Sequence, residues 1–421
     1  MTPDQIAQVL PRLEQFAAEA FADFARVDQR EKGTLYMRGL MTDGARKSMQ
    51  PMAERLGIDH QRLQQFITSS SWDYVAVRRR LVLRMNTEIK PEAYAIDDVG
   101  FPKDGVGSPG VAAQYCGALG KVGNYQIAVS VQMVTDTASS AANWRLFLPQ
   151  KWDDAKAKDR ATASEIQARH RRCVIPDGAR HREKWRLALD QLDQMTGPGG
   201  WGPPLLPITA HCAYGDATEL RRGLYERGFD YVLAVSEDLS AQPGQAALVA
   251  TCPGNRGPRP KPHYPDKPVS AKALAIAAGR DAYTEITWRH GSRTTNSNPK
   301  AEMTGHFTAL TFRPANRHIP KNPDGDLPVA LLIAQWDPDQ DEPTDYWISN
   351  LPPDTDLATL VRIAKIRWRI EHDYRELKHA LGLDHFEGRS FAGWHRHVTL
   401  TTLAQAFCTV LRLDPKAPAP A

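Results

Sequence analysis

Glu371 is the acid whose neighbours most suggest chemistry in this 421-residue chain. Arg367 lies four residues before it, Arg375 four after and Lys378 seven after. In a helix these side chains fall near one side. A carboxylate framed by fixed cations could hold a metal ion and clamp phosphate groups around it. The same spacing also describes a solvated row of salt bridges. A second acidic feature is the pair Asp97 and Asp98 in EAYAIDDVGFPKDG. Carboxylates at the end of a buried strand can reach a metal with their direction fixed, although paired acids are also common turn residues.

Around Glu371, Ile363, Ile366, Ile370, Tyr374, Leu377 and Leu381 recur every three or four residues. That period predicts one buried helical stripe along 357–390. Asp356 is placed to cap its start. A short strand, Tyr94 to Ile96, is expected to end in the acidic pair. Tyr125 to Val134 reads as the next strand of an antiparallel hairpin. LLPITAHCAYGD reads as a strand entering a turn, then a helix from Ala217 to Arg227 and a strand from Tyr231 to Val235. Strand, acid, hairpin and later helices suit an RNase H-like mixed-sheet α/β core.

Residues 1–90 read as helical, with Gly57 ending one short helix and Asp59 capping the next. Helix, turn, helix fits either a DNA-reading unit or an ordinary bundle. The basic run Arg78, Arg79, Arg80 and Arg84, beside Trp72 and Tyr74, fits phosphate contacts or the wet side of a helix. ARHRRC at 168–173 is a second candidate for tracking a backbone. The cluster TGPGGWGPP breaks the chain before 205. From 236 to 350 the prolines 258, 260, 262, 265 and 268 exclude a regular helix, and four later runs have strand character. WRHGSR at 288–293 could touch DNA or be an exposed turn. The apolar spacing after His397 predicts a terminal core helix. His395 and His397 are two residues apart and do not share a helix face; contact with phosphate near the helix of Glu371 is one reading, and a capping role is the expected one. DPKAPAPA should fray.

Composition sets outer limits. The chain carries 53 Lys plus Arg against 49 Asp plus Glu, a formal charge of +4, which permits nucleic-acid binding without demonstrating it. Five scattered cysteines with no CxxC predict reduced thiols rather than a disulfide framework or zinc knuckle. The start lacks a basic leader with an apolar run, and no apolar stretch is long enough for a membrane span. A cytoplasmic protein without a membrane partner is expected.

RWRIE at 367–371, followed by Lys378, resembles the signature helix of DDE transposases of the IS4-like group. YRELKHALGLDHFEGRSFAGWHRH and SPGVAAQYCGALGKVGNYQIAVS resemble the IS701-like family within it. The resemblance implies that Glu371 is the third catalytic carboxylate, Arg367 the signature arginine and Lys378 the signature lysine. It puts the first catalytic acid at Asp97, with Asp98 the near alternative. Three positions depart from the family. His211 stands where a phrase like ADAGYGD carries the second acid, Ala364 where a tyrosine precedes the glutamate by seven, and Ala113 where GVARQYCG has arginine.

The architecture this implies is an N-terminal helical domain over 1–90, the first part of the core over 91–235, a β-rich insertion over 236–350 and the second part over 351–421. The implied activity is Mg²⁺-dependent cleavage and strand transfer at transposon ends, with Mn²⁺ as a second ion and double-stranded DNA as partner. It is compatible with a homodimer and with association with the nucleoid when DNA is bound. His211 leaves open a descendant that binds DNA without cutting it, since imidazole is neutral and suits hard, oxygen-seeking Mg²⁺ poorly.

Overall fold

The computed structural model describes residues 3–117, 120–249, 262–291, 294–295, 298–316 and 319–414. The prolines 258 and 260, the end of WRHGSR and nearly all of DPKAPAPA lie outside them. In chain order the elements are α1 (Pro3–Ala20), α2 (Val27–Met41), α3 (Met49–Leu56), α4 (His60–Thr68), α5 (Tyr74–Ile89), β1 (Ala93–Pro102), β2 (Ala112–Cys116), β3 (Lys121–Val134), β4 (Ser139–Phe147), α6 (Arg160–Cys173), α7 (Lys184–Thr196), β5 (Ile208–Ala210), α8 (Cys212–Gly215), α9 (Thr218–Glu226), β6 (Tyr231–Val235), β7 (Ser240–Pro243), β8 (Val269–Ser270), α10 (Ala271–Ala277), β9 (Thr284–His290), β10 (Glu302–Pro314), β11 (Ala330–Gln335), β12 (Asp345–Ser349), α11 (Leu357–Lys365), α12 (Trp368–Arg375), a π-helical turn (Glu376–Ala380) and α13 (Phe391–Leu413). The fold is mixed α/β, with a helical N-terminal region and an open, mixed sheet, consistent with an RNase H-like core. The chain divides into two compact units, one of Met1–Pro91, Ala95–Pro204 and Trp368–Ala421, the other of Glu92–Tyr94 and Leu205–Arg367.

In the first unit the helix boundaries follow from local chemistry. The Asp59 side chain accepts from Gln61 N at 2.9 Å and that of Asp73 from Val75 N at 2.7 Å, each satisfying a donor that the helix leaves open. Gly57 closes α3 at φ 65°, where a side chain would be strained. Strand β1 lies beside β3. Strands β2 and β4 pair with β3 over its first and second halves, both antiparallel. Helix α7 packs on β3 and β4, and Gln191 of α7 donates to Val129 O at 3.3 Å. On the other face Tyr374 of α12 bonds Ser130 at 2.7 Å, and Trp144 of β4 donates to Thr402 of α13 at 3.0 Å.

Helix α13 is buried on every side from Gly393 to Phe407, as expected of a helix through the middle of a core. Its hydroxyls need partners there. Thr399, Thr401 and Thr402 donate back to the carbonyls four residues earlier at 2.7, 2.9 and 2.8 Å, which removes the cost of burying them.

In the second unit the strand order is β5-β6-β12-β11-β10-β7-β8, with β9 on β10. Only β5 and β6 pair in parallel, joined through α8 and α9; the remaining registers described here are antiparallel. Helix α11 is capped by Asp356, which accepts from Thr359 N at 3.1 Å. It lays Leu360, Val361 and Ala364 into a core with Val232, Phe307, Leu331, Ile333 and Trp347. Ala364 is thus a packing residue, where a tyrosine would need more room. Phe307 is fully buried, its ring 6.3 Å from that of Trp347. Phe307→Ala should cost about 3–5 kcal/mol, the transfer term plus the cavity. Urea unfolding measures it, and a loss below about 1 kcal/mol would show that this core collapses around the gap.

Two elements differ from the sequence reading. The strand expected to end before the acidic pair runs on to Pro102, so Asp97 and Asp98 sit in mid-strand. Val99 and Phe101 are buried and extend it, and Gly100 lets Cys116 approach so closely that a Cβ would lie 2.4 Å from its Sγ. The helix expected over 357–390 is broken at 366–367 and turns π-helical at 376–380. The apolar stripe continues through both irregularities, with Ile366, Ile370, Leu377 and Leu381 all buried, so periodicity alone does not reveal them.

Candidate functional site

Successive residues of a strand face opposite sides, and the acidic pair of β1 is divided in this way. Asp98 makes an ion pair with Lys184 at the start of α7. Asp97 points to the other side of the strand, and the charges of both acids reach Tyr374 of α12, that of Asp97 more strongly. The Asp97 carboxylate also accepts from Asp98 N at 2.8 Å, which fixes its orientation. The two acids therefore differ: Asp98 is paired with a lysine, and Asp97 acts more strongly on Tyr374 of the helix that carries Glu371.

Glu371 is exposed in the first turn of α12. Tyr374, three residues on, is half-buried and anchors that helix by its hydroxyl to Ser130. Burial and then the nearby Asp97 carboxylate hold this phenol well above its ordinary pKa, so it stays protonated. Lys378 lies in the π-helical turn and donates to Gly100 O of β1 at 2.8 Å. Its ammonium is half-buried over Phe101, and burial pushes its pKa down. Lys378 thus ties the signature helix to the strand carrying Asp97. Arg375 is exposed and has no hydrogen bond or ion pair among the described residues.

His211 follows β5 directly and caps α8, its Nδ1 accepting from Ala213 N at 3.4 Å; the side chain is exposed. The rest of this turn is structural. Gly215 packs so tightly that a Cβ would lie 1.9 Å from Ala234 O, and Asp216 accepts from Ser236 N at 3.0 Å. Asp216 belongs to the turn.

The basic run of α5 divides unevenly. Arg78, expected to meet phosphate, is instead a core residue, 1 % exposed. It donates to Thr399 Oγ1 at 2.8 Å, Trp144 O at 2.9 Å and His395 O at 3.1 Å. Arg80 pairs with Asp23 and Arg84 with Glu19 at the surface, while Arg79 is exposed. His395 and His397, expected as caps, are buried inside α13, and Ser390 caps that helix by accepting from Gly393 N at 2.9 Å.

The sequence reading missed one group of potential metal ligands. His372, Asp373 and Glu376 each bring a ligand atom within 4.8 Å of the others. Asp373 is buried; its Oδ1 accepts from Ser139 Oγ at 2.7 Å, and its Oδ2 has no donor. Arg412 spans both oxygens of Glu376, so an ion here would compete with that guanidinium. The spacing of an acid and a histidine one turn before Glu376 was the available signal.

A family model described as DDE superfamily endonuclease matches residues 19–295, more than half of the chain, a span that includes Asp97 and His211 but ends before Glu371. The chain is 32% identical over 134 residues to a protein named probable transposase for insertion sequence element IS701, from Microchaete diplosiphon. That alignment takes in 31% of this chain and 35% of the relative, so the chain spans about a third of the length of the curated relative it matches. Among solved structures it is similar to the piggyBac transposase of a synaptic complex with hairpin DNA, at a TM-score of 0.40 and 9% identity, covering 96% of this chain and 72% of that one. No helix among the described residues is long and apolar enough to cross a membrane. With its open mixed sheet and a family match across most of its length, the chain belongs to the DDE superfamily of endonucleases.

Proposed function

We propose that this protein is a DDE-type DNA transposase that uses Asp97 and Glu371 as metal-binding carboxylates, and that His211 weakens its Mg²⁺ chemistry. The observation that carries the reading is the charge of Asp97 acting on Tyr374, three residues from Glu371 on α12, in a chain of this family. Two carboxylates offer the hard oxygen donors that Mg²⁺ prefers; an imidazole offers one neutral nitrogen. A divalent ion held there would supply Lewis-acid polarisation of the phosphodiester and activation of the attacking hydroxyl. The chain's own part is positioning. Asp98 N holds the Asp97 carboxylate, and Tyr374 and Lys378 hold α12 against β3 and β1. Arg375, Arg79 and Arg367 would meet DNA phosphates, with Arg80 and Arg84 contributing if their surface pairs open.

A second reading, a DNA-binding descendant without cleavage, is favoured by His211 alone. Nicking of a supercoiled plasmid, run beside duplex binding, separates the two. Nicking with Mn²⁺ by the native protein, or with Mg²⁺ by a His211→Asp variant, should vanish in Asp97→Asn and Glu371→Gln while binding survives. Duplex binding should weaken with salt, and Arg375→Gln or Arg79→Gln should each reduce the slope of log K against log salt by about one. A slope near zero would sink both readings, and binding without nicking under any of these conditions would leave the second.

A further inference from the structure

A cavity of about 280 Å³ in the first unit lies beside strand β4, and its lining includes Tyr74, Arg145, Arg180, Arg182, Asp190 and His395. Its electrostatics are one-sided. Arg145 is half-buried. It donates to Asn143 Oδ1 at 3.4 Å, Trp144 O at 3.2 Å and Gln194 Oε1 at 2.6 Å. All are neutral acceptors, and its Nε has no partner among the described residues. Behind it the buried Arg78 shares two of those acceptors, Asn143 Oδ1 and Trp144 O. Neither guanidinium has a carboxylate within ion-pair reach among the described residues. The surrounding arginines bring little compensation: Arg182 and Arg186 share Asp190, and Arg180 has Asp154 at 3.4 Å. Among the described residues these five arginines have two carboxylates at ion-pair distance, with Asp73 acting on Arg78 from farther off.

Two adjacent guanidiniums in a core are costly without an anion, because burial removes their hydration and they repel one another. Arginine does not escape by losing its proton at neutral pH. Burial pulls Arg78 down only to about 9. Replacing either residue by an apolar one would relieve the cost, so their presence calls for a counter-charge from outside the chain. The wall is already shaped to supply more donors. His395 stacks on Tyr74, ring centroids 4.9 Å apart and 6° from parallel. Its Nδ1 faces Arg78 Nη2 at 3.2 Å. Since that arginine nitrogen can only donate, Nδ1 accepts and the ring proton resides on Nε2. Burial and the two guanidiniums keep this ring neutral, so it presents an N–H that has no partner among the described residues.

We propose that this cavity binds a phosphate group, with Arg145 and the His395 Nε2–H as donors and Arg180 and Arg182 supplying further charge. A phosphate brings the missing negative charge, and its oxygens can accept from a guanidinium fork. The group could be free inorganic phosphate or a phosphodiester of DNA; the pocket chemistry is the same for both.

Titration calorimetry of the full chain with inorganic phosphate at fixed ionic strength tests this. Saturable binding at one site per chain is expected, with chloride unable to replace it. Arg145→Gln should weaken it about ten- to a hundredfold, as expected for losing a charged donor. If that variant unfolds, Arg182→Gln, whose side chain is half exposed, should still weaken it while leaving the fold intact; Arg26→Gln, at the surface outside the cavity, should leave it unchanged. Competition with a short duplex identifies the source. Mutual displacement, with Arg145→Gln or Arg182→Gln weakening DNA as well, assigns the pocket to backbone phosphate; phosphate binding indifferent to DNA assigns it to free phosphate. Absence of saturable phosphate binding, or equal affinity in native, Arg145→Gln and Arg182→Gln proteins, overturns the proposal whether or not the chain cleaves DNA.

Discussion

His211→Asp is expected to raise Mg²⁺-dependent strand cleavage by about 10²–10³-fold, the scale attached to removing one group that stabilises developing charge in a transition state. The native protein is expected to nick plasmid weakly or not at all with Mg²⁺ and better with Mn²⁺, which accepts nitrogen ligands more readily. His211 occupies a turn whose other members are fixed by packing. Gly215 has no room for a side chain, and Asp216 is spent on Ser236 N. An aspartate at 211 can also cap α8, since carboxylates are good N-caps, so the substitution should not cost the fold. Mg²⁺ affinity measured by calorimetry should rise in the variant along with cleavage. Robust Mg²⁺-dependent cleavage by the native protein would refute the weakening by His211 and direct attention to Asp98, whose pairing with Lys184 would then have to open. If both proteins bind DNA and neither cleaves, the loss lies deeper than one ligand, and Ala113 and Ala364 are the next positions to restore.

What could be read from the sequence was local. Asp59 and Asp356 act as caps because a carboxylate two or three residues from an open N–H needs no distant partner. Strands β6 and β12 follow their apolar runs, and Gly57 ends α3 as its position predicts. Arg78 could not be read, because its burial is decided by Asn143, Trp144, His395 and Thr399, which lie 65 to 321 residues away. Three neighbouring arginines look alike in a sequence until such partners are known. Lys378 was counted on the same side as Glu371 by regular helical spacing, but the π-helical turn alters that count and the ammonium reaches Gly100 O. The mid-strand place of Asp97 was hidden by FPKDG, where Pro102 and Gly105 read as a turn that begins earlier than it does. For His395 and His397, spacing excluded a shared face, yet a helix buried all round has no exposed face for a cap or a phosphate contact.

His397 should make the protein lose stability as pH falls from about 6.5 to about 4. Its Nε2 donates to Gly382 O at 2.9 Å, an atom that can only accept, so Nδ1 is left to accept from Tyr36 OH at 2.8 Å. Burial raises the Tyr36 pKa, so that hydroxyl keeps the proton it donates. A second ring proton would force the Tyr36 hydroxyl to turn and accept, and it would place a charge beside Phe386, whose ring stacks on the imidazole at 5.5 Å. Burial accordingly pulls His397 from 6.5 to about 4. Above about pH 6.5 the ring is neutral in both folded and unfolded chains, and its contribution is complete. Between the two values the unfolded chain takes up a proton that the folded chain refuses, so stability falls as pH falls. The whole window corresponds to about 3 kcal/mol. His395, whose pKa is also driven well below the ordinary value by burial and by Arg78 and Arg145, adds a loss of the same sign. Urea unfolding of native protein and of His397→Gln, followed across this range, isolates the effect. Glutamine can both donate to Gly382 O and accept from Tyr36 but cannot titrate, so the variant should show a flatter fall by about 3 kcal/mol, over the carboxylate background common to both. An unchanged slope would mean that the buried ring is protonated as readily as in the unfolded chain, against the cost of burying its charge.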